Sequence, residues 1–255
     1  MKERSRLFAV VAMSALALVA IGCAAEEIAE EPAPAEAPME EPAADPILAD
    51  PTRPANEVAE DGDRMALEAY AFLGVEPGMT VADVWTGGGY NTHLLSRSVG
   101  DGQVVAILGF YADDEAEALA QRVVDAELSN VEIVSAIADV AADSIDVAVA
   151  VRNFHDADEY GDGRTDTVAQ LFAMTKPGGI VGIIDVASAT EGWDEATHRL
   201  GEQAVIADFT AGGFVLVESS DLLRNPDDDL STTGFETGRH AADRYLLKFQ
   251  KPAAN

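Results

Sequence analysis

The chain has 255 residues, with 16 basic and 46 acidic side chains and a formal net charge of −30. An acid surplus of this size argues against nucleic acid and anionic lipid headgroups as partners, because both carry the same sign of charge. The single cysteine, Cys23, excludes an internal disulfide and a zinc–thiolate site.

The first element in chain order is an address. A basic stub, Met1–Arg6, precedes an apolar run, Leu7–Ile21, that ends at Gly22-Cys23. A basic start, a short apolar stretch and small residues before a cut site are the marks of a secretory signal. The run is shorter than the roughly 20 apolar residues a membrane-spanning helix needs. Ala20-Ile21-Gly22-Cys23 resembles the lipobox of bacterial lipoproteins, with Ala20 where that family usually carries leucine. The resemblance implies a signal peptide over 1–22, lipidation of Cys23, and export to the periplasmic face of the envelope. Contact with the membrane is then through the lipid anchor only. Ala24, in place of the aspartate that commonly retains such proteins at the inner membrane, points to the outer one.

From Ala24 to Pro54 the sequence is nearly all Ala, Glu, Pro and Asp, with Arg53 its only base. Such a composition offers little apolar surface to offset conformational entropy, so 23–60 is expected to be a disordered acidic tether for a folded domain over 61–255.

Within that domain apolar runs alternate with amphipathic ones. Asp63–Leu73 reads as a helix stopped by Gly74, and Met79–Trp85 as a strand that leads into Gly87-Gly88-Gly89. A helix over Tyr90–Ser98, a strand over Gln103–Leu108, a helix over Glu115–Glu127 and a strand over Val131–Val134 follow. Ile145–Val151 is continuously apolar, as suits a strand buried on both faces. Thr165–Thr175 reads as a helix, Ile180–Val186 as a strand and Trp193–Thr210 as one long helix. Phe214–Ser219 and Arg244–Gln250 are strands with no helix between them, which implies an antiparallel partner. The pattern predicts one doubly wound α/β domain: a mostly parallel seven-stranded sheet with an antiparallel last strand. Ligands of such sheets sit beyond the carboxyl ends of the strands.

Val81-Ala-Asp83-Val-Trp85-Thr-Gly87-Gly-Gly89-Tyr resembles motif I of class I S-adenosylmethionine-dependent methyltransferases, and Leu171–Gly179 resembles a helix-to-strand turn of that fold. Arg152-Asn-Phe-His155-Asp156, His198-Arg199 and Leu223-Arg-Asn-Pro-Asp-Asp228 fit an exported branch of predicted methyltransferases. The resemblance implies methyl transfer from S-adenosylmethionine to an acceptor it does not identify, a small-molecule ligand as partner, Asp83, Trp85, Gly87 and Gly89 at the cofactor, and Asp139 near its adenine.

Two departures bear on that cofactor. The first glycine of the motif is Trp85, whose ring either fills part of the site or forms an aromatic wall facing a sulfonium. The family's ribose-binding acid at the end of the second strand is replaced by Leu108, which has no acceptor. Asp113 and Asp114 either substitute for it or cap the following helix. The residues expected to carry chemistry are His155, Asp156 and Arg152, after the fourth strand. Histidine suits proton transfer near neutral pH. The alternative for His155 is a loop residue bonded to backbone. Asp185 and the pair His198-Arg199 are further candidates for the same cleft. The four histidines are far apart in sequence, so no metal site is expected from spacing. Arg224–Asp229 reads as a solvated turn. A cofactor made in the cytoplasm is scarce outside it, so the rival function is a binding module on a retired cofactor fold.

Overall fold

The computed structural model describes residues 45–110, 113–238 and 241–253. Cys23, His240 and the side chains of Asp113 and Asp114 lie outside the described residues. Among the described residues no helix is long and apolar enough to cross a membrane.

Two short helices, α1 (Ala55–Val58) and α2 (Asp61–Arg64), precede α3 (Ala66–Leu73). Strand β1 (Thr80–Val84) leads through the glycine turn to α4 (Tyr90–Val99). Next come β2 (Gln103–Ile107), α5 (Asp113–Asp125), β3 (Val131–Val134) and β4 (Ile145–Val151). Helix α6 (Arg164–Met174) runs directly into β5 (Thr175–Val186). A two-strand hairpin, β6 (Trp193–Asp194) and β7 (Arg199–Leu200), precedes α7 (Glu202–Ala211). Strands β8 (Val215–Ser220) and β9 (Arg244–Gln250) close the chain.

The main sheet has seven strands in the order β3-β2-β1-β4-β5-β9-β8. The first five run parallel, and β9 is antiparallel to both its neighbours. This is the expected α/β architecture. One face packs Leu73, Leu94, Leu95 and Val99 of α3 and α4 on Val81, Val104 and Val149. The other packs Leu171, Val205 and Phe209 of α6 and α7 on Ile107, Ala148, Ile183 and Phe249. Central strands apolar on both faces are what a sheet covered by helices on both sides requires.

Two expectations are corrected. Trp193–Thr210 is not one helix. His198 takes a left-handed conformation (φ 51°) and the helix begins only at Glu202. Gly201 lies so close to the preceding loop that a Cβ there would stand 2.3 Å from the carbonyl oxygen of Thr190. The stretch therefore folds back as a hairpin.

The folded part also begins before 61, because residues 45–60 belong to it. Arg53 is 6% exposed. Its guanidinium donates to both Asp61 carboxylate oxygens, at 2.7 and 2.5 Å, and to the Leu48 carbonyl at 2.9 Å. Asp50 takes bonds from Arg97 (2.7 Å), Thr52 and the His93 ring (3.1 Å). Burial opposes its charge, but these donors hold its pKa well below the carboxylate range. Arg122 of α5 pairs with Glu57 of α1. The one base of the acidic segment is thus a fixed counter-ion.

Candidate functional site

The carboxyl ends of β1, β4 and β5 open into a cleft of about 480 Å³. The glycine turn 86–89 forms one wall, and α1–α3 supply Glu57, Glu60, Arg64 and Tyr70. The opposite wall is Arg152, His155, Asp156 and His198, with Phe235 and Arg244 at the margin.

The turn itself is built by backbone conformation. Gly87 and Gly89 have φ of 55° and 86°. At Gly89, the residue before α4, a Cβ would stand 2.5 Å from Leu119 of α5, so glycine is required by both φ and contact. Asp83 lies beneath the turn, 1% exposed, and does not line the cleft. It accepts from the Thr92 hydroxyl at 2.6 Å, and burial pushes its pKa up to about 6, against the hydrogen bonds from Thr92 and Thr86. Its role is to hold the turn from below.

Trp85 shares the left-handed conformation of the glycines around it (φ 56°) and is 6% exposed. Its indole lies directly over Gly109, where a Cβ would be 1.9 Å from Cδ1. It also packs on Phe110 at 4.8 Å, and Phe110 packs on Tyr160 at 6.0 Å. These aromatic rings cover the end of β2, beside half-buried Leu108. Trp85 thus lies over the end of β2 and also lines the cleft. Asp139 is exposed and outside the cleft; its carboxylate accepts from the Ala136 amide at 3.0 Å, closing its own turn.

His155 is held firmly. Its Nδ1 lies 2.7 Å from Asp185 Oδ1, and its backbone amide donates to Asp185 Oδ2 at 3.0 Å. Asp185, at 0% exposure, also accepts from the Val186 amide at 2.9 Å. Burial disfavours a charged His155, but Asp185, with Asp156 adding to it, raises the pKa above the ordinary imidazole value. With Nδ1 engaged by Asp185, Nε2 faces Asp156 at 3.5 Å. The loop histidine is thus carboxylate-bonded through its ring as well as its amide, and its base-like geometry comes from Asp185 rather than from its sequence neighbour.

His198, placed by the hairpin rather than by a helix, reaches Asp156 Oδ1 through Nε2 at 2.9 Å. Trp193 stacks on the His155 ring at 6.5 Å and meets His198 edge-on at 4.9 Å. Arg152 lines the cleft with φ 58°, its guanidinium 6.0 Å from the Phe235 ring. Arg199 does not line the cleft. It is fully buried and donates to Asp228, Ala187 O and Thr232 O. Asp228 is itself 9% exposed, so the 224–229 segment is an anchored loop rather than a solvated turn.

Sequence reasoning missed Asn153. It is 2% exposed and its amide donates to the carbonyls of Val84 and Trp85 at 2.9 and 3.1 Å. The only signal for it was its place in the Arg-Asn-Phe-His-Asp string.

No protein-family model matches the chain, and no curated protein does. Solved structures match its fold. An Aquifex aeolicus SAM-dependent methyltransferase is 19% identical over 76% of this chain and 93% of its own, with a TM-score of 0.59. A Streptomyces coelicolor A3(2) geranyl diphosphate C-methyltransferase, solved with Mg2+, a substrate analogue and S-adenosyl-L-homocysteine, is 15% identical over 81% and 84%, at 0.60. The [4+2]-cyclase SpnF is 17% identical over 75% and 81%, at 0.59. The fold is that of Rossmann-like methyltransferases, and it also carries other chemistry, so function has to be argued from the site.

S-adenosylmethionine fits this site only in part. The glycine turn and the first turn of α4, whose amides lack intrahelical partners, suit a small anionic end group. The edge of β2 does not suit a nucleoside: Trp85 and Phe110 occupy it, and Leu108 offers no acceptor.

Proposed function

We propose that the domain is an enzyme acting on a compact polar molecule that binds between the glycine turn and His155. The observation that carries this is the Asp185–His155 pair. A fully buried carboxylate fixes the imidazole so that Nε2, its remaining ring nitrogen, faces the cleft. Such a nitrogen acts on an acidic hydroxyl, amine or carboxyl group of a bound molecule. The glycine turn and Arg152 orient the anionic part. Alignment of this kind accounts for much of the rate in sites that hold small substrates. The test is calorimetric titration with methionine, adenosine and S-adenosylhomocysteine in parallel. On this reading the amino-acid end carries all the affinity, and adding adenosine gains nothing. Tight binding of adenosine alone would overturn it.

Methyl transfer from S-adenosylmethionine is the second reading, favoured by the glycine turn and by the solved methyltransferases of the same fold. It requires Trp85 to leave Gly109. S-adenosylhomocysteine binding at low micromolar strength or better, with a methylated product, would establish it.

The exported, lipid-anchored placement is also proposed, on the apolar run that ends at Cys23. Cys23→Ser should leave an unlipidated precursor; fatty-acid labelling of that variant equal to wild type would refute it.

A further inference from the structure

We infer that His155, Asp156 and His198 form a binding site for a divalent transition-metal ion of the zinc, iron, cobalt or manganese type. The residues come from two segments 42 or more positions apart: the turn after β4 and the β6–β7 hairpin. Their potential ligand atoms all lie within 4.8 Å of one another. His198 Nε2 is 2.9 Å from Asp156 Oδ1, and His155 Nε2 is 3.5 Å from Asp156 Oδ2. Donors that share one ion at about 2.0–2.2 Å stand roughly 2.9–3.5 Å apart in octahedral and tetrahedral arrangements. The two imidazole rings are near perpendicular, with centroids 5.1 Å apart.

The surroundings carry the inference further than the distances. A metal-bound histidine characteristically gives its other ring nitrogen to a carboxylate, which fixes tautomer and orientation. Asp185 does this for His155, from a position fully buried and held by two backbone amides. The strain at His198 has the same direction. A left-handed backbone is unfavourable for a non-glycine residue, and here it accompanies a ring that meets Asp156. Trp193 packs against both imidazole rings. Two imidazoles with one carboxylate select ions that accept nitrogen, whereas magnesium and calcium prefer all-oxygen sets. Three protein ligands leave coordination positions open to a molecule in the cleft, the arrangement of catalytic rather than structural metal sites. A substrate oxygen bound there would have its proton made more acidic by the ion. The inference rests on the small-molecule reading and changes how His155 Nε2 acts on the molecule, through a bound ion rather than as a free base; metal binding is measured with no small molecule present, so that the two readings fail separately.

The full chain, stripped with chelator, is titrated with Zn2+ in competition with a chromophoric chelator, and separately with Co2+ for its visible spectrum. One equivalent is expected to bind, with Kd of micromolar or tighter. Asp156→Asn and His198→Ala, both at partly exposed positions, should each weaken it at least 100-fold and abolish the cobalt bands. Asp185→Asn should weaken it roughly 10–100-fold, as loss of an orienting carboxylate does. Circular dichroism confirms that each variant is folded. Millimolar Ca2+ should not displace the ion. The assignment is overturned by no stoichiometric binding, by displacement with Ca2+ (surface carboxylates only), or by folded His198→Ala and Asp156→Asn variants that bind as wild type does.

Discussion

Replacing Trp85 with glycine and Leu108 with aspartate tests whether these two residues are what closes the adenosine side. The indole is 6% exposed and rests on Gly109 and Phe110. Deleting a buried aromatic side chain costs about 3–5 kcal/mol, and the cavity term is part of that figure. Glycine adopts the φ of 56° seen at position 85 without the penalty of about 1–2 kcal/mol that other residues incur there. The net loss expected for Trp85→Gly is then about 1–4 kcal/mol, read as a lower urea midpoint with unchanged slope. Leu108→Asp supplies acceptors for two ribose hydroxyls. At about 0.5–1.5 kcal/mol for each hydrogen bond, the gain in affinity is roughly 5–100-fold. Calorimetry with S-adenosylhomocysteine measures it on wild type, both single variants and the double variant. Leu108→Asp alone should gain little, because the indole still lies over the strand end. The double variant should gain the full factor. If wild type already binds the nucleoside tightly, or if the folded double variant gains nothing, the account of Trp85 and Leu108 as the closure is wrong.

Three further outcomes are expected. Asp83, with a folded pKa of about 6 against 3.8 unfolded, makes the native state bind more protons between those values. Stability should therefore fall as pH rises from about 4 to 6, by up to about 3 kcal/mol. Asp83→Asn should remove that slope in pH-dependent urea melts, and an unchanged slope would refute the assignment. Asp228→Asn leaves the fully buried Arg199 guanidinium short of its counter-charge, and should cost about 3–5 kcal/mol of stability; a loss under 1 kcal/mol in the same melts would show that the pair is dispensable. Truncation before Asp45 should leave the melting temperature unchanged. Removal through Glu60 deletes Arg53, Asp50 and Glu57 with their pairs to Asp61, Arg97 and Arg122, and should lower it by several degrees.

The fold was legible because its strands are apolar on both faces and bounded by glycine. Ile145–Val151 and the Val81–Val84 run have no other stable placement than a covered sheet. The misread helix shows where periodicity fails. Trp193–Thr210 is rich in helix formers, and nothing local reveals that Gly201 must lie against the Thr190 carbonyl. The start of the folded part was placed too late for a similar reason. Composition describes 45–60 as solvent-loving, yet Arg53 and Asp50 find partners at Asp61, His93 and Arg97, and pairing at such separation is invisible to a count of residues. The site was half legible. His155 could be placed at the carboxyl end of β4 from the strand pattern. Asp185 and His198, 30 and 43 positions further on, were candidates for the same cleft, but that Asp185 holds Nδ1 and that His198 meets Asp156 depends on the sheet and the hairpin. Trp85 was visible as an anomaly, but the direction of its ring was not.

The two departures from the fold's usual plan are mechanically joined. Asn153 precedes the His155 turn and donates to the Val84 and Trp85 carbonyls across the β1–β4 junction. The backbone that sets the indole over Gly109 and the turn that presents His155 to Asp156 and His198 are therefore one hydrogen-bonded unit, buried on both sides. A methyltransferase of this fold uses the β1 turn to carry a nucleoside and the β4 turn to meet the acceptor. Here the same junction turns an aromatic ring into the first position and a two-histidine, one-carboxylate cluster into the second. The cleft thus has Trp85 at the end of β1 and the two histidines on its opposite wall. Asp156 stands beside those histidines, Glu57 and Glu60 come from the helical wall, and Arg64 and Arg152 line the same cleft. On the metal reading proposed above, Asp156 and the two histidines are the ligands, and the two arginines supply positive charge to an anionic group of a bound molecule.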